Sequence, residues 1–276
     1  LGATPDYARE LYPALCDAVG ELHAGFAMAG ETSAPVIHRD LKPSNIIVTG
    51  ANYTPDDLSG KAVCKKALQE KLGLKVDPDI PIIGMVGRLS NQKGLDLVDY
   101  VIADIMRQDV QLVVLGMGDS RYVNLFSWAE GEYPGRVAAR FAMDHELAHQ
   151  IYAGCDLFLM PSQFEPCGLS QMIALRYGTV PIVRETGGLR DTVLSYNDFT
   201  GEGNGFSFFN YNAHDMLHVI ERALRYYHEE KDIWRKLQHR GMTADYSWNH
   251  SSQAYLDLYN KLLHPTPAPE AEPAPQ

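Results

Sequence analysis

Arg88 and Lys93 stand five residues apart in "GRLSNQKG", just after an apolar run and closed by a glycine. Two cations so spaced can converge on one diphosphate, whose charge needs fixed cations and backbone N–H donors where water is scarce. Glu165 follows a second apolar run, "DLFLMP", and precedes "CGLSQ", where a helix is expected to begin near Gly168. Such a start presents free N–H groups and the positive end of the helix dipole, so Gly168, Leu169 and Ser170 form a seat for phosphate or sugar oxygens. The absent side chain of Gly168 permits close backbone approach. "ETGGLRDT" repeats the pattern, with Thr186, Gly187 and Gly188 opening another helix at the next strand end. Cys167 has the chemistry of a nucleophile, but no His–Asp partner is arranged for it, so a packed or pocket-lining thiol is expected.

Groups of this kind work only if strand ends hold them together. From about Ile80 to Phe209 the chain alternates short apolar runs with amphipathic stretches, which predicts βαβ units around a parallel sheet. The strands are expected in "IPIIGMVGRL", "VQLVVLGMG", "RVAARFAM", "DLFLMP", "TVPIVRE" and "GFSFF". The helices between them are expected in "GLDLVDYVIADIMRQ", "DHELAHQIYAGC" and "GLSQMIALRYG". After Phe209 the pattern is helical throughout, and the Pro/Ala/Glu-rich end from Pro265 onward reads as a disordered tail. The fold class is therefore α/β: a Rossmann-like parallel sheet with flanking helices, a helical C-terminal extension and an N-terminal helix–loop fragment. Domain limits are expected at 1–50, 52–263 and 264–276.

Composition narrows the partners. A net charge of -11 opposes broad attraction to nucleic acid or anionic lipid, so an anionic ligand must be caught by a few placed residues. No apolar run has the ~18 residues of a spanning helix. The four cysteines lack metal-type spacing, and a cytoplasmic location is the default expectation.

"GRLSNQKG", "PSQFEPCGLSQMIALRYGTVPIVRETGGLRDTV" and "TGEGNGFSF", in that order, resemble bacterial glycogen synthases and plant starch synthases, retaining glycosyltransferases of GT-B architecture. The resemblance runs from about Asn52 to Leu263. It implies that Arg88 and Lys93 bind the donor diphosphate and that Glu165 contacts the transferred glucose and helps stabilise its positive transition state. It further implies that Cys167 touches the sugar, while Thr186, Gly187 and Gly188 shape the donor pocket. The implied donor is a nucleotide-glucose, ADP-glucose foremost, and no metal or cofactor is required. Many family members stack a tyrosine on the donor base where this chain has Met143, in "FAMDHELAH". A thioether packs less specifically than a ring, which leaves base preference open. The family's N-terminal half supplies a "KTGGL"-like loop and the acceptor surface. Residues 1–51 contain neither, so the chain alone is expected to bind donor without transferring glucose to an α-glucan.

"HRDLKPSN" resembles the catalytic loop of serine/threonine protein kinases. That resemblance implies Asp40 as acceptor of a substrate proton, Lys42 as a phosphate contact and Asn45 as a magnesium ligand. A kinase also needs a Gly-rich loop and a strand lysine upstream and a DFG downstream. Past Asn45 the chain reads "TPDDLSGK", and no DFG occurs anywhere. "GEGNGF" lies on the wrong side of the loop and reads as a surface turn. The three residues are therefore expected to be a non-functional loop.

Overall fold

The computed structural model describes residues 46–48, 51–246 and 248–263. Asp40, Lys42 and Asn45 lie outside the described residues. The chain divides into two compact units, Lys42–Ala244 and a second made of Leu1–Leu41 with Asp245–Gln276.

The larger unit begins with β1 (Ile46–Val48) and β2 (Ala51–Tyr53), an antiparallel hairpin in which Val48 pairs with Ala51. It therefore spans the junction expected near residue 50. The main sheet comprises β3 (Ile82–Val86), β4 (Gln111–Leu115), β5 (Val137–Arg140), β6 (Leu157–Met160), β7 (Val180–Arg184) and β8 (Phe206–Phe208). All six expected strands form, in the order β5-β4-β3-β6-β7-β8, every pair parallel. Their near-continuous apolar sequences suit strands covered on both faces. Side chains alternate as the pleat requires: Ile83, Leu112, Val114 and Val137 enter one buried cluster, and Ile82, Val113, Leu115 and Ala138 the other.

Eight helices of this unit cover the sheet: α1 (Ser59–Leu72), α2 (Leu95–Arg107), α3 (Ser120–Glu132), α4 (His145–Gly154), α5 (Ser170–Arg176), α6 (Gly187–Thr192), α7 (Ala213–Glu229) and α8 (Lys231–Thr243). In α2, Leu95, Val98, Val101, Ile102 and Ile105 are buried at helical spacing, in one cluster with Met216, Ile220 and Leu224 of α7. Side-chain caps fix two helix starts: Asp144 accepts from Leu147 N at 2.9 Å, and Asn212 accepts from His214 N and Asp215 N. Tyr152 packs in the core beside Phe158 and Tyr177. Of the second unit the described part is Asp245, Tyr246 and α9 (Trp248–Leu263). Among the described residues no helix is long and apolar enough to cross a membrane.

On the inward side of α1, where apolar residues would be expected, stand two buried lysines. Lys61 Nζ donates to Thr179 Oγ1 at 2.7 Å and to the carbonyls of Ala153 at 2.9 Å and Tyr177 at 3.1 Å. Lys65 pairs with Asp156, whose Oδ2 also accepts from Ile82 N at 2.9 Å. Burial holds the Lys61 ammonium well below its usual range, at about 8, despite the attraction of Asp156.

Candidate functional site

The chain leaves β3 for β4 and β5 on one side, and β6, β7 and β8 extend the sheet on the other. The carboxyl ends of β3 and β6 thus border the point where strand order reverses, the place where open parallel sheets leave a crevice for ligands. Arg88 and Lys93 follow β3, and Glu165 follows β6.

After β3, residues 91–93 make one short turn, and Gly94 takes a left-handed conformation at φ 72°. A Cβ at Gly94 would lie 2.0 Å from the Pro161 carbonyl oxygen, so only glycine lets this loop press against the end of β6. Gln163 N then donates to Gln92 O at 2.8 Å, tying the two loops. The outcome is an ion pair between Lys93 Nζ and Glu165 Oε2, with side chains 27% and 12% exposed. Ser162 Oγ donates to the same carboxylate oxygen at 3.3 Å. Arg88 is exposed and makes no side-chain hydrogen bond or ion pair among the described residues.

The second set of expected residues meets the first through the backbone. Gly188 N donates to Glu165 O at 3.1 Å. A Cβ on Gly187 would lie 2.2 Å from Glu165 O, and one on Gly188 would lie 1.9 Å from Cys167 O. The glycine pair therefore lets α6 begin directly against the Glu165–Cys167 segment. Cys167 and Leu169 are exposed, Gly168, Ser170 and Thr186 half-buried. Cys167 is an exposed free thiol, so it is not packed, against one half of the expectation. With seven residues in α5 and six in α6, their starts offer first-turn N–H groups more than a summed dipole. Met143, beyond the end of β5, is 81% exposed, and Met117, beyond β4, stands out likewise.

The structure thus brings Arg88, Lys93, Glu165, Cys167, Gly168, Thr186, Gly187 and Gly188 to one rim. Sequence reasoning missed Ser162, Gln163, Gln92, Gln171 and Thr192, which hold that rim together. Gln171 alone carried a usable signal, an amide in the first turn of a helix where it can reach back to the preceding loop.

Known proteins share this chain's sequence and fold. The family described as glycosyl transferases group 1 matches residues 66–238. A glycogen synthase of Bacillus cereus (strain B4264) is 57% identical over 213 residues, covering 77% of this chain and 44% of that protein. A glycogen synthase of Clostridium novyi (strain NT) is 52% identical over 222 residues, covering 80% and 46%. Among solved structures, the catalytic domain of starch synthase IV from Arabidopsis thaliana, bound to ADP and acarbose, matches with a TM-score of 0.73 at 35% identity. That match covers 80% of this chain and 46% of that one. The chain spans less than half the length of these relatives. The kinase-like resemblance of "HRDLKPSN" finds no support among them.

Proposed function

The chain belongs to the group 1 glycosyl transferases, within them to the glycogen and starch synthases, and from that premise we propose that residues 52–263 are the donor-binding half of such a synthase. The donor is a nucleotide-glucose, ADP-glucose foremost. With a complementary N-terminal half, the reaction moves glucose to the non-reducing end of an α-1,4-glucan with retention. By itself the chain holds the donor and transfers nothing, since the "KTGGL"-like loop and the acceptor surface belong to that other half.

The observation that carries this reading is the meeting of Lys93 and Glu165 across the strand-order reversal, with Arg88 exposed on the same loop after β3. Arg88 and Lys93 serve the diphosphate: as the sugar–phosphate bond breaks, negative charge grows there, and two fixed cations stabilise it more than they stabilise the bound donor. Glu165 serves the sugar, its carboxylate lying where positive charge develops on the departing glucosyl group. Cys167, Gly168, Leu169 and Ser170 line the sugar end; Thr186, Gly187 and Gly188 shape the floor. Met143 packs on the base.

Calorimetry with ADP-glucose tests the donor site. The purified chain gives heat that Arg88→Ala and Lys93→Ala abolish; equal heats from all three proteins refute it. Incorporation of labelled glucose into glycogen by the chain alone would refute the claim of inactivity.

A further inference from the structure

Gln171, in the first turn of α5, is wholly buried, yet its two amide atoms fare very differently. Nε2 lies 2.9 Å from the Gly168 carbonyl oxygen, 3.2 Å from that of Cys167 and 3.1 Å from Thr192 Oγ1. Oε1 is buried with no hydrogen-bond partner. Turning the amide over would set oxygen against two carbonyls and make matters worse, so the surrounding acceptors dictate the orientation. A methionine would fill similar space without the orphan acceptor. What glutamine supplies in addition is a clamp on two successive carbonyls.

A trans peptide points its N–H opposite to its C=O. Pinning the carbonyls of Cys167 and Gly168 to Gln171 therefore turns the N–H groups of Gly168 and Leu169 away from the buried amide. Neither N–H has an acceptor among the described residues. The clamp is closed from the other side: Thr192 Oγ1 donates to Gly188 O at 2.6 Å, and Gly188 N returns to Glu165 O.

We propose that Gln171 is a positioning residue that aims the Gly168 and Leu169 N–H groups at the hexose of the donor, with Thr192 as its brace. The inference rests on the donor-binding reading above. It separates two parts of one ligand: the diphosphate is held by Arg88 and Lys93, to neither of which Gln171 makes a hydrogen bond, while the sugar depends on the clamped loop.

The test is calorimetry of the 276-residue chain with ADP and with ADP-glucose, for the wild type, Gln171→Met and Thr192→Val. In Gln171→Met, ADP affinity stays within about twofold, while ADP-glucose affinity falls at least about tenfold, the expected result of misaiming two hydrogen-bond donors. Thr192→Val shifts the ratio of the two affinities in the same direction by a smaller factor. A merely structural residue would weaken both ligands alike, and that result, or an unchanged ratio, overturns the proposal. If Gln171→Met fails to fold by circular dichroism, Thr192→Val decides: a wild-type ratio overturns the proposal. Failure of both variants to fold overturns it as well, because the pair would then hold the fold instead of the loop. Wild-type chain that binds neither ligand sinks the donor-binding reading itself.

Discussion

Strand β6 carries a lysine–carboxylate pair near each end, and the two differ in what they leave unused. Before the strand, Asp156 meets Lys65 at 2.9 Å, with side chains 11% and 7% exposed. Lys65 also donates to Pro78 O at 2.8 Å and to the Tyr227 hydroxyl at 2.9 Å, so all three ammonium protons are engaged. Beyond the strand, Lys93 is matched to Glu165 alone and keeps about a quarter of its side chain in solvent. A pair that saturates itself can only hold structure; one with spare donors and lone pairs can take a ligand. The same chemistry thus becomes scaffold at the amino end of a parallel strand, where elements pack, and site at the carboxyl end, where the crevice lies.

The contrast yields predictions that separate stability from binding. Lys65→Met should strand Asp156 as a buried charge and cost about 3–5 kcal/mol in urea denaturation, with ADP-glucose affinity of the folded fraction unchanged. An affinity loss matching that of Lys93→Ala would erase the distinction. Next comes pH. Lys61, facing Asp156, Lys65, Cys64 and Cys155, has a folded pKa of about 8 against an unfolded 10.5. Between those values the native state binds fewer protons, so Lys61 by itself contributes a rise in stability of on the order of 1 kcal/mol per pH unit from pH 8 to pH 10, against which the buried Cys155 thiol, pushed up by burial, works from about pH 9. Above pH 10 buried Tyr177, pushed up to about 12, opposes the trend because the native state then keeps the extra proton. Urea midpoints of wild type and Lys61→Met at pH 8 and 10 check this: the variant should lack the Lys61 rise, so the difference between the two proteins shifts toward the wild type as pH increases. Lys93→Ala, at the other end, should lower ADP-glucose affinity at least about tenfold. It leaves Glu165, 12% exposed, with Ser162 Oγ as its remaining side-chain donor among the described residues, so the urea midpoint should fall too, by less than in Lys65→Met because solvent reaches the place of the half-exposed Lys93. Smallest is Met143→Tyr, which should raise affinity for ADP about threefold through ring stacking; unchanged calorimetric affinity would remove Met143 from the base site.

Much of the fold was legible because strands buried on both faces read as apolar runs; "IIGMV" and "QLVVL" admit little else. α1 escaped for the opposite reason: Lys61, Lys65 and Gln69 occupy its buried side, so its apolar periodicity is broken by cations that only the tertiary network can accommodate. α3 escaped because only Tyr122, Phe126 and Ala129 are buried along it. At the site, Arg88, Lys93 and Glu165 could be singled out by type, position and motif. That Lys93 and Glu165 touch depended on Gly94 lying against Pro161, a distance no spacing encodes. Ser162 and Thr192 left little trace, since single polar residues in loops and short helices carry no period; Gln171 left only its place in the first turn of a helix. The hairpin of β1 and β2 was hidden by reading the two sides of residue 50 as belonging to different proteins.

Lys93 and Glu165 are separated by 72 residues of chain, with β4, β5, β6 and three helices between them. They meet only after β3 has found β6, a pairing that must first overcome the entropy of closing a long loop. No local segment can prefigure the site while the chain is still condensing. Capture of a nucleotide-sugar would therefore report the last stage of folding, after the helices and the β3–β4 pair are already in place, and its recovery after dilution from denaturant should lag behind the return of helical signal.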